Sequence, residues 1–131
     1  MTRSQKNMLK YEKIKQELKN KSRNGGDYMS VVTITAENFE KEVLNSTIPV
    51  LVDFWAVWCG PCQMQGPVIE QAADKFKEQI KVTKLNVDEV GSIAQQYGVM
   101  SIPTLILFQN GQVKERVAGF HSLEGIAALI A

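Results

Sequence analysis

Val50-Leu51-Val52-Asp53-Phe54-Trp55-Ala56 runs through Val57 into Trp58-Cys59-Gly60-Pro61-Cys62, and the fold turns on how this stretch is read. Its first seven residues are an almost unbroken apolar run of strand length, the pattern of a central strand covered on both faces. From Pro61 to about Phe76 the spacing becomes helical, with Val68, Ile69, Ala72, Ala73 and Phe76 forming an apolar stripe. A buried strand therefore hands over to a helix at the two cysteines, which predicts Cys59 at an exposed helix N-terminus. There, unpaired backbone N–H groups and the positive end of the helix dipole favour a thiolate and supply a nucleophile. Cys62, three residues on, falls on the same helix face, where its sulfur can attack a mixed disulfide held on Cys59 and close an internal disulfide. Gly60 suits the sharp turn into the helix. Pro61 in the first turn loses only an N–H that has no helical partner.

Outward from this stretch, strand and helix signals alternate. Val31 to Thr35 is β-branched throughout and reads as a strand, with Thr35 as the cap of a helix through Phe39, Val43 and Leu44. Pro49 closes that connection. Lys81 to Val87 reads as a strand, and Ser92 to Tyr97 as a short helix ended by Gly98 in a left-handed cap. Leu105 to Phe108 and Val113 to Val117 flank Asn110-Gly111, a pair suited to the positive backbone angles of a tight hairpin. Leu123 to Ile130 supplies the closing helix. The order βαβαβαββα predicts an α/β fold, a central mixed β-sheet flanked by helices on both faces.

The chain has 131 residues, 44% hydrophobic and 22% charged, enough to bury one sizeable core. Its formal net charge of +1 gives no reason to expect nucleic acid or acidic substrates as partners. The charge is unevenly spread, however. Residues 1–28 hold eight lysines and arginines against Glu12, Glu17 and Asp27, a net +5, so the remainder carries −4. Met8, Tyr11, Ile14 and Leu18 make only a thin apolar stripe there, and Asn24-Gly25-Gly26-Asp27 breaks it. The expected organisation is a basic, flexible N-terminal extension over residues 1–28 and one domain over 29–131. Alternatively Met29 is the true start, because Gly25-Gly26-Asp27 can be encoded by GGA-GGT-GAT, a bacterial ribosome-binding sequence. No apolar run reaches membrane-spanning length, and the opening lacks the apolar block of a secretory signal, so the expectation is a cytoplasmic protein without membrane contact.

Competing chemistries for the cysteine pair run short of ligands. A structural zinc site needs about four, and Cys59, Cys62 and the single His121 would require assembly between chains. An iron–sulfur cluster within one chain fails on the same count. A purely structural disulfide would close a very short loop and constrain the unfolded chain little. Redox chemistry without a metal is the reading these counts favour.

Asp53-Phe54-Trp55-Ala56-x-Trp58-Cys59-Gly60-Pro61-Cys62 resembles the active-site segment of the thioredoxin family. Lys84-Leu85-Asn86-Val87-Asp88, Ile102-Pro103-Thr104, Phe108-x-Asn110-Gly111 and Gly119 resemble further landmarks of that family in the same order, across Met29 to Ala131. The resemblance implies the thioredoxin fold and a protein-disulfide reductase in which Cys59 attacks, Cys62 resolves and Asp53 assists. A carboxylate inside the apolar run is desolvated, which raises its pKa and suits it to accept the Cys62 proton, directly or through water; the alternative is a solvated aspartate at the strand end. Lys84 either tunes Asp53 by charge or is an ordinary surface lysine. Pro103 resembles the family's cis-proline, with Ile102 before it pairing with a substrate strand; an ordinary proline is trans. Trp58 resembles the surface tryptophan of the docking face, and Trp55 is expected to pack under the motif; the alternative for either is plain core. The resemblance also implies that Gly119 belongs to a substrate groove. No bound cofactor or metal is implied. By the same resemblance electrons are expected from NADPH through a separate thioredoxin reductase, the expected partners are that reductase and disulfide-containing proteins, and a monomer is expected. His121 reads as structural or solvated.

Two departures from the family pattern stand out. Gln63 replaces a basic residue common after the second cysteine, which makes the thiolate slightly less favoured. Gln65-Gly66 replaces an apolar pair; together with Gln63 this predicts an altered docking rim, and Gly66 before Pro67 predicts a helix kink. A different class of function, a thioredoxin-fold binding subunit with incidental cysteines, is the runner-up. A disulfide donor is the third reading, against which stand Gly-Pro between the cysteines and the lack of an export signal.

Overall fold

Alternation of apolar side chains along Val50–Trp55 sends Val50, Val52 and Phe54 to one face of a sheet and Leu51, Asp53 and Trp55 to the other, and both faces are covered. The computed structural model describes residues 31–131. Its elements in chain order are β1 (Val32–Thr33), a short π-type helix (Glu40–Leu44), β2 (Val50–Trp55), α1 (Gly60–Lys75), β3 (Lys81–Asn86), α2 (Gly91–Gln96), β4 (Thr104–Gln109), β5 (Gln112–Ala118) and α3 (Leu123–Ile130). The sheet order is β1-β3-β2-β4-β5. β2 lies at its centre, parallel to β3 and antiparallel to β4, so the expected mixed sheet with helices on both faces is what forms.

Two apolar layers hold it together. On one face Val50, Val52 and Phe54 pack with Phe39, Val43, Ile93 and Phe108. On the other, Leu51 packs with Ile69, Ala72, Ala73 and Phe76 of the α1 stripe and with Ile126 of α3. Phe54 and Phe108 are fully buried, and each such side chain stabilises the fold by about 1.5–3 kcal/mol relative to exposure. α1 is thus pinned flat against the sheet, with its N-terminus at the carboxyl end of β2.

Local signals set most of the connections. Asn110 (φ +56°) and Gly111 (φ +78°) form the expected hairpin turn, and Gly98 (φ +65°) ends α2 in the expected left-handed cap. The first strand is shorter than the five residues predicted. Thr35 and Asn38 exchange hydrogen bonds, Thr35 N–H to Asn38 Oδ1 at 2.7 Å and Asn38 N–H to Thr35 Oγ1 at 3.1 Å, which draws the chain away from the sheet edge. Thr35 therefore caps a turn, and the helix that follows is one wide loop of backbone in which Asn45 N–H reaches Glu40 O. α1 continues through Pro67. Residues 1–28, and the start of the domain at 29, lie outside the described residues. No described helix is long and apolar enough to cross a membrane.

A Cβ at position 111 would meet Leu44 O at 3.0 Å and would force a side chain into the left-handed region. Gly111→Ala is expected to cost about 1–2 kcal/mol, read as a lower urea midpoint at unchanged m. Wild-type stability would show that the hairpin does not seat on the Glu40–Leu44 helix.

Candidate functional site

Cys59 is the N-cap of α1, with extended backbone (φ −89°, ψ +114°), and its sulfur occupies the place of a capping oxygen. Cys62 N–H points at Cys59 Sγ, 3.2 Å away. The two cysteines form a disulfide across a Cα–Cα distance of 5.2 Å, inside the range such bonds need. Pro61 lies in the first turn of α1, where its missing N–H leaves no helical bond unmade.

Cys59 is not exposed as its helix position alone predicted; only 5% of its surface is open. The reason is long-range. The loop before β4 folds over the pair, so that Ile102 O lies 3.6 Å from Cys59 Sγ and Ile102 packs on Ala56, Cys59 and Cys62. The Ile102–Pro103 peptide is cis. Gly119, at the end of β5, donates its N–H to Pro103 O at 2.8 Å and so stands beside this loop. Trp58 is 71% exposed, held by Nε1–H donation to Asp88 Oδ2 at 2.8 Å, whereas Trp55 packs against the cysteine cluster. Val57, Met64, Met100 (94% exposed) and Phe120 add exposed apolar surface. Val57, Met100 and Phe120 stand in irregular segments where apolarity is their sole signal, and Met64 lies on α1 outside its apolar stripe.

Beneath the pair sits Asp53, 3% exposed, on the α1 face of β2. Burial pushes its carboxyl up from 3.8 to about 7, and the positive charge of Lys84, its register partner on β3, opposes part of that rise. Lys84 also stands 6.0 Å from the centre of the Trp55 ring. A cavity of about 210 Å³ is lined by Asp53, Cys62, Lys84, Trp55, Gln63 and Gly66 among others. Asp53 Oδ1 and Trp55 Nε1 have no hydrogen-bond partner among the described residues, and the cavity has room for water to bridge from the carboxyl toward Cys62.

Of the altered residues, Gln63 is exposed and Gly66 is half-buried beside the cavity, whereas Gln65 does not reach a docking rim. Gln65 is fully buried on the core face of α1, because its carboxamide finds both partners it needs in the main chain of His121. The His121 ring is half-buried, with Nδ1 2.9 Å from Gly119 O, and Gln63 is exposed, with its Nε2–H donating to Val57 O at 2.9 Å. Among the described residues no group of three His, Cys, Asp or Glu side chains could hold a metal ion.

A mixed sheet that delivers a redox-active cysteine pair to a helix N-terminus defines a thiol–disulfide oxidoreductase. The chain belongs to the thioredoxin family, whose model matches residues 30–131. It is 53% identical over 92 residues to thioredoxin 1 of Synechococcus elongatus, covering 70% of this chain and 86% of that protein. It is 48% identical over 91 residues to the thioredoxin of Pyropia yezoensis, covering 70% and 85%. With the thioredoxin of Chlorobaculum thiosulfatiphilum it shares 53% identity over 85 residues, covering 65% and 79%.

Asp53 generates a pH signature. Its folded value of about 7 lies above the unfolded 3.8, so between the two the folded state keeps a proton that the unfolded chain has lost. Stability of the oxidised protein therefore falls as pH rises through that window, by up to about 4 kcal/mol. Asp53→Asn is expected to match wild type near pH 4 in urea unfolding and to exceed it by a few kcal/mol at pH 8. Parallel curves for the two proteins would show that the carboxyl titrates in the ordinary range.

Proposed function

We propose that this oxidoreductase works as a reductant of disulfides in other proteins. The observation that carries the reading is the shared cavity. It joins Cys62 to a buried carboxyl that is half protonated near pH 7, while Cys59 caps the helix above. In the reduced protein the Cys59 thiolate attacks one substrate sulfur. The substrate S–S bond breaks, a Cys59–substrate disulfide forms, and the departing sulfur takes up a proton. Asp53 then accepts the Cys62 proton, directly or through water, and the Cys62 sulfur attacks Cys59 Sγ. The second substrate thiol leaves, and the Cys59–Cys62 disulfide holds the oxidising equivalents, two electrons having passed to the substrate.

Lys84 tunes Asp53 by charge, while Gly60 and Pro61 shape the turn that holds the sulfurs in reach. Trp58, Ile102, Pro103 and Gly119 receive the substrate chain, which lies against the Ile102 main chain next to the reacting sulfur. No cofactor is bound; a separate thioredoxin reductase regenerates the dithiol with electrons from NADPH. The protein acts as a cytoplasmic monomer in electron transport and cell redox homeostasis. Family membership supports these last assignments, as does a cysteine set confined to one redox pair.

With insulin as disulfide substrate and dithiothreitol as electron donor, wild type is expected to speed reduction. Cys59→Ser should fall to the rate of dithiothreitol alone. Cys62→Ser, reduced and freed of dithiothreitol before insulin is added, should trap an insulin chain, visible as a covalent adduct by mass spectrometry. Turnover retained by Cys59→Ser would refute the mechanism, and a wild type no faster than dithiothreitol would favour a binding role instead.

A further inference from the structure

Gln65 is the one amide in the buried face of α1, three residues beyond Cys62 and one turn before Ile69. An amide in a core costs stability unless its donor and acceptor are both used, and here both are. Gln65 Nε2–H donates to His121 O at 2.9 Å, and His121 N–H donates to Gln65 Oε1 at 2.8 Å. One side chain thus holds both polar groups of a single residue, 56 positions away in the chain.

The segment it holds joins β5 to α3 and has few other anchors. Gly119 N–H bonds Pro103 O at 2.8 Å, His121 Nδ1 lies 2.9 Å from Gly119 O, and Ser122 Oγ accepts Gly125 N–H as the cap of α3. Gly119 is exposed and Phe120 is only partly covered, at 42% exposure, so no fully buried side chain fixes the stretch between those bonds. A continuous set of contacts therefore runs from α1, through Gln65 and His121, to Gly119, and on to Pro103 and Ile102 beside Cys59 Sγ.

We propose that Gln65 is a positioning residue that locks the Gly119–Ser122 segment to the cysteine-bearing helix and so sets the wall against which a protein substrate docks. The proposal rests on the substrate-binding role given above to Gly119 and Ile102. Gln65 touches neither sulfur nor substrate. It acts on how well a chain long enough to meet the Gly119 wall is held, and not on the exchange reaction at Cys59. A small disulfide reaches the sulfur without that wall.

The test compares wild type with Gln65→Leu on two substrates, insulin and the small aromatic disulfide 5,5′-dithiobis(2-nitrobenzoate). Loss of two backbone-directed hydrogen bonds is expected to raise KM for insulin about five- to tenfold, with kcat and the small-disulfide rate within about twofold of wild type. Unchanged KM for insulin overturns the proposal. So does an equal fall on both substrates, which would assign Gln65 to the cysteine pair or to the fold at large. Should Gln65→Leu fail to fold, Gln65→Met keeps the length of the side chain and removes both hydrogen bonds, and the same split is expected; its absence is equally fatal. Amide hydrogen exchange of oxidised wild type reads the clamp separately, with His121 protected about tenfold or more relative to the variant. A wild type that reduces neither disulfide while His121 is protected would remove the reductase reading and leave the clamp standing.

Discussion

A sulfur atom caps a helix here, and the rest of the site follows from that substitution. Oxygen at an N-cap satisfies a backbone donor and stops there. Sulfur in the same position, 3.2 Å from Cys62 N–H, receives the same donor and the helix dipole while being able to ionise and to form a bond to its neighbour. For the cap to sit where another protein can reach it, α1 must begin at the end of a strand. For the helix not to drift, its apolar stripe must be pressed to the sheet. β2 at the centre of the sheet and the Ile69, Ala72, Ala73 and Phe76 layer satisfy both conditions. The fold is in this sense a mount for one helix terminus.

Asp53 shows what that mount costs. A carboxyl on the central strand, with one oxygen lacking any described partner, is a poor choice for stability. The same desolvation places its proton affinity near pH 7 rather than near 4, in the range where a group exchanges protons readily at neutral pH. Lys84 sits across the strand pair and offsets part of the penalty without cancelling it. Stability and reactivity thus pull in opposite directions at one residue, and the two apolar layers around it provide the surplus that makes the arrangement tolerable.

Much of this was legible in the residues themselves, wherever the deciding signal is local. The passage from β2 to α1 shows as a change of apolar period, the Asn110-Gly111 turn and the Gly98 cap as residue types with the right backbone freedom, and the burial of Asp53 as a charged letter in an apolar run. Features made by chain segments far apart were not legible. Cys59 is shielded by Ile102, 43 residues on, and Gln65 turns inward because His121 waits for it, 56 residues on. Neither partner is visible from the cysteine or the glutamine. β1 is short because Thr35 and Asn38 prefer each other to the sheet edge, a contest that β-branching alone does not decide. The cis peptide before Pro103 came from family resemblance and from no physical signal in the chain.

The central claim is that the α1 terminus activates Cys59, and alkylation measures this most directly. The reduced protein is treated with limiting iodoacetamide at pH 7 beside a short cysteine peptide, and the modified residue is located by mass spectrometry. The account predicts that Cys59 reacts about tenfold faster than the peptide thiol, with Cys62 left almost untouched. A Cys59 rate equal to the peptide's, or preferential labelling of Cys62, would contradict it.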